Sequence, residues 1–200
     1  MPRTPSHPGL LRVVSSETGN FTSKAVSTRA FAQGGTITRL EGLTPGPKRY
    51  STVQISRHEH VELNSDLLYL NHSCVPNVSV DVEKMLVVAL KDIIEGDELT
   101  FFYPATEWEI GITINVKPFV PLYRQPDCIK NVKGASALPS SVLMKYPLSK
   151  HIRELLEERD RLERDRLERG MRRFSLEELC LAPRLLRDPV RCYPGNENSS

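Results

Sequence analysis

The residue types with the most chemical potential in this chain fall in two short runs. The first, Asn71-His72-Ser73-Cys74-Val75-Pro76-Asn77, gathers an imidazole, a thiol and two carboxamides. The second, Gly96-Asp97-Glu98-Leu99-Thr100-Phe101-Phe102-Tyr103, closes an apolar stretch on a phenol. Asn, Ser and Pro break regular structure, so the first run has turn composition. Irregular backbone leaves N–H and C=O groups that need partners from elsewhere in the chain or from a ligand. The second run reads as a Gly-Asp turn feeding a strand. Alone, Tyr103 is amphipathic packing at a strand end and His72 a structural hydrogen-bonding histidine. The histidines and scattered serines form no hydrolase pattern. His58-Glu59-His60 sets two histidines at i,i+2, one face of a strand, but no further ligands complete a metal site there.

The elements that must position these runs are short and β-rich. From Leu11 to about Trp108, strand-like segments alternate with Gly, Pro, Asn and Ser breaks. Candidate strands are Leu11–Val14, Phe21–Ser27, Thr36–Leu40, Ser51–Ile55, Val78–Val82, Met85–Ala89 and Leu99–Phe102. Val78-Ser79-Val80-Asp81-Val82 alternates as a half-buried strand requires. Met85-Leu86-Val87-Val88-Ala89 is continuously apolar, which predicts burial on both faces. Many short strands with turn punctuation predict a β-dominated domain.

Beyond Ile110 the pattern changes. Residues 112–126 are punctuated by proline, and from about Ser140 the signal turns helical. Ser149 to Leu179 sets Ile152, Leu155, Leu156, Leu162, Leu167 and Met171 among dense charges. The tandem Arg159-Asp160-Arg161-Leu162-Glu163 and Arg164-Asp165-Arg166-Leu167-Glu168 repeats at a period that fits no helical stripe, so its leucines drift around the cylinder. Lys150 to Glu178 carries equal numbers of Lys/Arg and Asp/Glu. It reads as a solvated helix laced with ion pairs, with a partner-docking helix over 150–178 as the alternative. Gly170 is expected to interrupt it.

The bulk numbers bound the answer. Two hundred residues hold one ordinary domain and tails. Hydrophobic content of 39% supports a packed core, and a formal charge of +2 gives no argument for nucleic acid or a membrane surface. No run approaches the roughly 18 apolar residues of a membrane-spanning helix. Met1 to Leu10, rich in proline, lacks the apolar centre of a secretory signal. Cys74, Cys128, Cys180 and Cys192 are few and dispersed, which fits a reducing compartment. An intracellular protein, of nucleus or cytoplasm, is expected.

In their order and spacing, the two runs resemble the signature motifs of SET domains, the lysine methyltransferase fold. The resemblance implies an α+β, β-dominated fold of several short sheets, with a threaded strand passing the Asn71–Asn77 loop. It implies S-adenosylmethionine as methyl donor and a protein lysine, histone or non-histone, as acceptor. Asn71 and His72 take the family's cofactor-binding positions and Tyr103 its catalytic tyrosine, while Phe102 would wall the cofactor pocket. The domain would span 11–108, between a flexible tail at 1–10 and an altered post-SET segment at 109–139. A helical extension at 140–187 and a disordered tail at 188–200 would follow.

The chain departs from that pattern twice. Gly34 and Ile37 fit the family's Gly-x-x-Ile, which places the cofactor loop near Thr22-Ser23-Lys24 without the usual Gly-x-Gly. Lys24 and Ala25 are then left to offer backbone contacts. The family's Cys-x-Cys-x4-Cys segment becomes Pro121, Tyr123 and Cys128, leaving Cys74 and Cys128 as a remnant pair. A tetrahedral thiolate site needs more sulfur than that, so structural zinc is not expected. Phe119, Leu122, Tyr123 and Pro126 would cover the cleft by apolar packing. Two rivals stay open beside lysine methylation: a SET-fold scaffold that has lost catalysis, and a SET fold repurposed for a small molecule.

Overall fold

The computed structural model describes residues 4–15, 23–110, 114–115 and 131–181. The chain forms two compact units, Met1–Glu157 and Glu158–Ser200. In the first, strands β1 (Leu11–Val14) and β2 (Lys24–Ser27) pair antiparallel, with Val13 opposite Ala25. Then come β3 (Thr36–Arg39), β4 (Thr44–Gly46), β5 (Thr52–Gln54) and β6 (His60–Glu62). A 3₁₀ turn at Asp66–Tyr69 leads into β7 (Asn71–His72), β8 (Val78–Asp81), β9 (Leu86–Ala89) and β10 (Thr100–Phe101). A second 3₁₀ turn covers Tyr103–Ala105, and β11 (Ile114–Asn115) pairs antiparallel with β12 (Asn131–Val132). Helices α1 (Ser140–Leu143) and α2 (Lys150–Leu181) close the order.

The sheets are small, with orders β3-β9-β8 and β4-β6-β5 and three two-stranded pairs. Leu11–Val14 is found at its expected length and the other expected strands in shortened form, Phe21 lying outside the described residues. Burial on both faces of Met85–Ala89 is not found. Val87 and Ala89 are buried while Leu86 and Val88 are half-buried, the period-two pattern of a sheet with one covered face. Nor does a strand carry both histidines of His58-Glu59-His60. β6 begins at His60, and His58 sits exposed in the preceding bend.

Two clusters of buried side chains hold this unit. The larger includes Leu11, Leu67, Val78, Val87, Ile93, Leu99 and Phe101. The smaller joins Phe102 and Ala105 to Ala135, Leu143, Leu148, Ile152 and Leu156. Each large aliphatic side chain so buried contributes about 1.5–3 kcal/mol. The first turns of α2 therefore belong to the compact unit, through Ile152, Leu155 and Leu156.

In the second unit the helix continues with Leu162 54% and Leu167 56% exposed, as their drifting period requires. Gly170 does not interrupt it. A glycine costs a helix interior about 1 kcal/mol relative to alanine, and the strong helix formers Leu167, Glu168, Arg169 and Met171 flank it. No helix of the described residues is long and apolar enough to cross a membrane.

Candidate active site

The site begins with a crossing of two chain segments. β7 and β10 pair in parallel, with Thr100 opposite Asn71 and Phe101 opposite His72. Neighbours in space, they are remote in sequence, so the pairing must be held by something other than a hairpin. Asn77 does this. Its carboxamide oxygen accepts the Thr100 N–H at 2.8 Å, and its Nδ2 donates to the Glu98 carbonyl at 2.8 Å. Its backbone N–H donates to the Thr100 carbonyl, and its carbonyl accepts the Leu90 N–H. The Ser73 N–H reaches the Phe101 carbonyl at 3.0 Å, completing the threaded arrangement. Gly96, at φ +93°, makes the turn that returns the chain: its N–H meets the Ser27 carbonyl, and Leu99 N–H the Ala25 carbonyl.

His72 and Tyr103 end up side by side, ring centroids 5.2 Å apart and nearly perpendicular. The Tyr103 backbone N–H donates to His72 Nδ1 at 3.2 Å. That bond requires a lone pair on Nδ1, so the neutral ring carries its proton on Nε2, 3.6 Å from Cys74 Sγ. Burial pushes the imidazole pKa down to about 4. The Tyr103 hydroxyl donates to the Leu70 carbonyl at 3.0 Å. Its pKa is raised, first by burial and then by the charges of Glu107 and Glu98, so the phenol stays protonated.

Asn71 Nδ2 donates to Glu98 Oε1 at 3.0 Å and to the Ser23 carbonyl at 3.2 Å. Lys24 Nζ lies 3.7 Å from the other Glu98 oxygen. Glu98 thus joins the first motif to the strand after the cofactor loop, a role its place before Leu99 did not announce. Ala25 is wholly buried, and its carbonyl accepts the Leu99 N–H. Phe102 is buried, 5.6 Å from the His72 ring, and stacks on Tyr146 at 3.6 Å with planes 6° apart. The Tyr146 hydroxyl donates to the Cys74 carbonyl at 2.9 Å. Tyr146 is the missed residue here; a tyrosine between two helical segments carries no sequence signal of its destination.

The turn after Tyr103 is fixed from both sides. Ser149 Oγ donates to the Ala105 carbonyl and His151 Nε2–H to the Thr106 carbonyl, each at 2.8 Å. On the other side, the Gln54 N–H of β5 donates to Glu107 Oε1 and the Trp108 N–H donates to Gln54 Oε1. Gly134, at φ +98°, lets the returning chain cross closely, since a Cβ there would meet the Trp108 carbonyl oxygen at 2.6 Å.

Cys128, Phe119, Leu122, Tyr123 and Pro126 lie outside the described residues, as does Thr22 of the expected cofactor loop. Among the described residues no three His, Cys, Asp or Glu side chains converge for a metal.

A family model for the SET domain matches residues 17–104. A methyltransferase of Aspergillus flavus, flvH, is 36% identical over 157 residues, covering 77% of this chain and 85% of its own. Among solved structures, the methyltransferase domain of human histone-lysine N-methyltransferase SETMAR aligns at 18% identity and TM-score 0.33, covering 45% of this chain. KRYPTONITE, in complex with mCHH DNA, an H3(1-15) peptide and SAH, aligns at 20% identity and TM-score 0.37, covering 55% of this chain. This chain spans 42% and 25% of those two chains' lengths. The motif crossing and the extent of the match to its fungal relative place the chain in the SET domain family of methyltransferases.

Proposed function

We propose that this protein transfers a methyl group from S-adenosylmethionine to the side-chain amine of a protein lysine. The observation that carries the reading is the threaded crossing that sets a neutral imidazole and a protonated phenol side by side. The residues present suit the cofactor. Among the described residues β7 pairs with β10 alone, so its outer edge offers the backbone of Asn71 and His72 to a purine. The Lys24 ammonium, partly exposed, suits a carboxylate. When bound, the cofactor supplies a sulfonium-activated methyl group.

The chain's own residues do the rest. Displacement at carbon needs an aligned, uncharged amine and the exclusion of water. Tyr103 supplies a fixed dipole: its proton is committed to the Leu70 carbonyl, which leaves the oxygen lone pairs to an amine N–H or a polarised methyl C–H. His72, neutral near pH 7, adds no positive charge that would repel the sulfonium. Phe102, buried against Tyr146, keeps that side apolar.

Calorimetry with S-adenosylmethionine and methyl transfer to a histone and cell-protein mixture test the reading. Wild type should bind and turn over. Tyr103→Phe should bind within about threefold of wild type and lose at least about 100-fold in rate, the scale of removing one preorganised dipole aimed at the transition state. Binding without turnover on any protein would sink it.

A further inference from the structure

Glu107 is a largely covered carboxylate that the motifs do not account for. It follows Tyr103 by one turn, and its backbone N–H donates to the Tyr103 carbonyl at 3.0 Å. Its Oε1 accepts the Gln54 backbone N–H at 2.8 Å, and Gln54 Oε1 accepts the Trp108 N–H at 2.9 Å. These reciprocal bonds fasten strand β5 to the segment that carries the phenol. Thr106 Oγ1 adds a longer contact to the same oxygen, at 3.4 Å. The other oxygen faces His60 Nε2 at 3.6 Å, with both side chains only 12–13% exposed. That nitrogen is buried and has no hydrogen-bond partner among the described residues. Taking a carboxylate largely out of water is costly, and these bonds offset part of that cost.

We propose that Glu107, backed by His60, is a positioning residue for Tyr103, holding the phenol's turn against strand β5. On the other side Ser149, just before α2, and His151, in its first turn, grip this turn through the carbonyls of Ala105 and Thr106. From the β4-β6-β5 sheet it is held by the bond of the Gln54 N–H to the Glu107 carboxylate and by that of the Trp108 N–H to the Gln54 side chain. The carboxylate is also a negative charge close to the phenol, and it joins burial in keeping Tyr103 protonated. One group thus bears on both position and protonation state. Its effect on rate rests on the methyl-transfer reading above; its effect on Tyr103 itself does not.

The experiment uses the full chain labelled with ¹³C at tyrosine Cζ, the Tyr103 signal being the one absent from Tyr103→Phe. In Glu107→Ala the Tyr103 signal should move well outside the spread seen for the other tyrosines. Glu107→Gln, which keeps an oxygen for the Gln54 N–H, should restore its place at neutral pH but let the phenol ionise at lower pH than wild type. Methyl transfer to the same protein mixture should fall about 100-fold in kcat in Glu107→Ala with cofactor KM unchanged, and recover to within about threefold in Glu107→Gln. Should the alanine variant not fold, Glu107→Asp, one methylene short, replaces it and should displace the signal likewise. A Tyr103 signal unmoved by alanine or aspartate, or moved together with every other tyrosine, overturns the proposal. Wild type that never turns over sinks the methyl-transfer reading instead and leaves the spectroscopic result to decide this one.

Discussion

Phe101 and Phe102 are adjacent, yet each belongs to a different part of the protein: Phe101 to the larger core, Phe102 to the smaller cluster under α1 and α2. Strand geometry sends consecutive side chains to opposite faces, so this pair marks a seam. The two sides are built differently. The larger side is tied by backbone pairing between remote strands, clamped by a single carboxamide, Asn77. The smaller is tied by apolar packing and by side chains that reach carbonyls of the seam, from Ser149, His151 and Tyr146. Tyr103 is the next residue after the seam, so its phenol is set by both sides. Loss of either should displace it, by different amounts.

Asn77→Ala should be the more damaging. It strands the Thr100 N–H and the Glu98 carbonyl in a part-buried setting, and each unsatisfied group costs about 1–3 kcal/mol. A loss of about 4 kcal/mol is expected in urea unfolding. On the smaller side, Ile152 is fully buried, and Ile152→Ala should cost about 3 kcal/mol through lost transfer energy and a residual cavity. The reverse ranking would mean that helix docking, not the crossing, holds the seam.

The seam also has a pH limit. His72 titrates near 6.5 when unfolded and near about 4 when folded, because its burial disfavours the charged ring. Above about pH 6.5 neither state takes the proton and the full stability is present. As pH falls from there, the unfolded chain binds a proton that the folded chain refuses, so stability drops until about pH 4. The total is at most about 3 kcal/mol. His72→Gln should flatten that part of the urea-midpoint profile, at a lower overall stability because the Tyr103 N–H loses its acceptor.

The sequence made the larger side legible and the smaller one much less so. Alternation and turn residues marked β1, β3, β5, β8 and β9, because there local pattern and tertiary pairing agree. β4 was hidden by Thr44-Pro45-Gly46, which has turn composition. It is the edge of its sheet, where proline is tolerated for want of a neighbour to receive its missing N–H. β7 was hidden in the same way, since Asn71 and His72 become a strand only through β10. The motifs led to His72 and Tyr103 as neighbours. They did not lead to Glu107, Gln54 or Tyr146, whose roles exist only after distant segments meet.

Tyr146 offers the finest cut between the two sides, because it touches both. Its ring lies flat on Phe102, and its hydroxyl holds the carbonyl of Cys74 in the first motif. Tyr146→Phe keeps the stack and removes the bond, so the expected loss is about 1 kcal/mol, the net worth of one ordinary hydrogen bond. The loss should be local. Opening of the Asn71–Asn77 segment exposes the half-buried Cys74 thiol, so alkylation of its own peptide, followed by mass spectrometry, reads that opening directly. A difference of about 1 kcal/mol corresponds to roughly fivefold faster alkylation under native conditions. An unchanged rate would show that the β7–β10 crossing holds this segment without help from the smaller side.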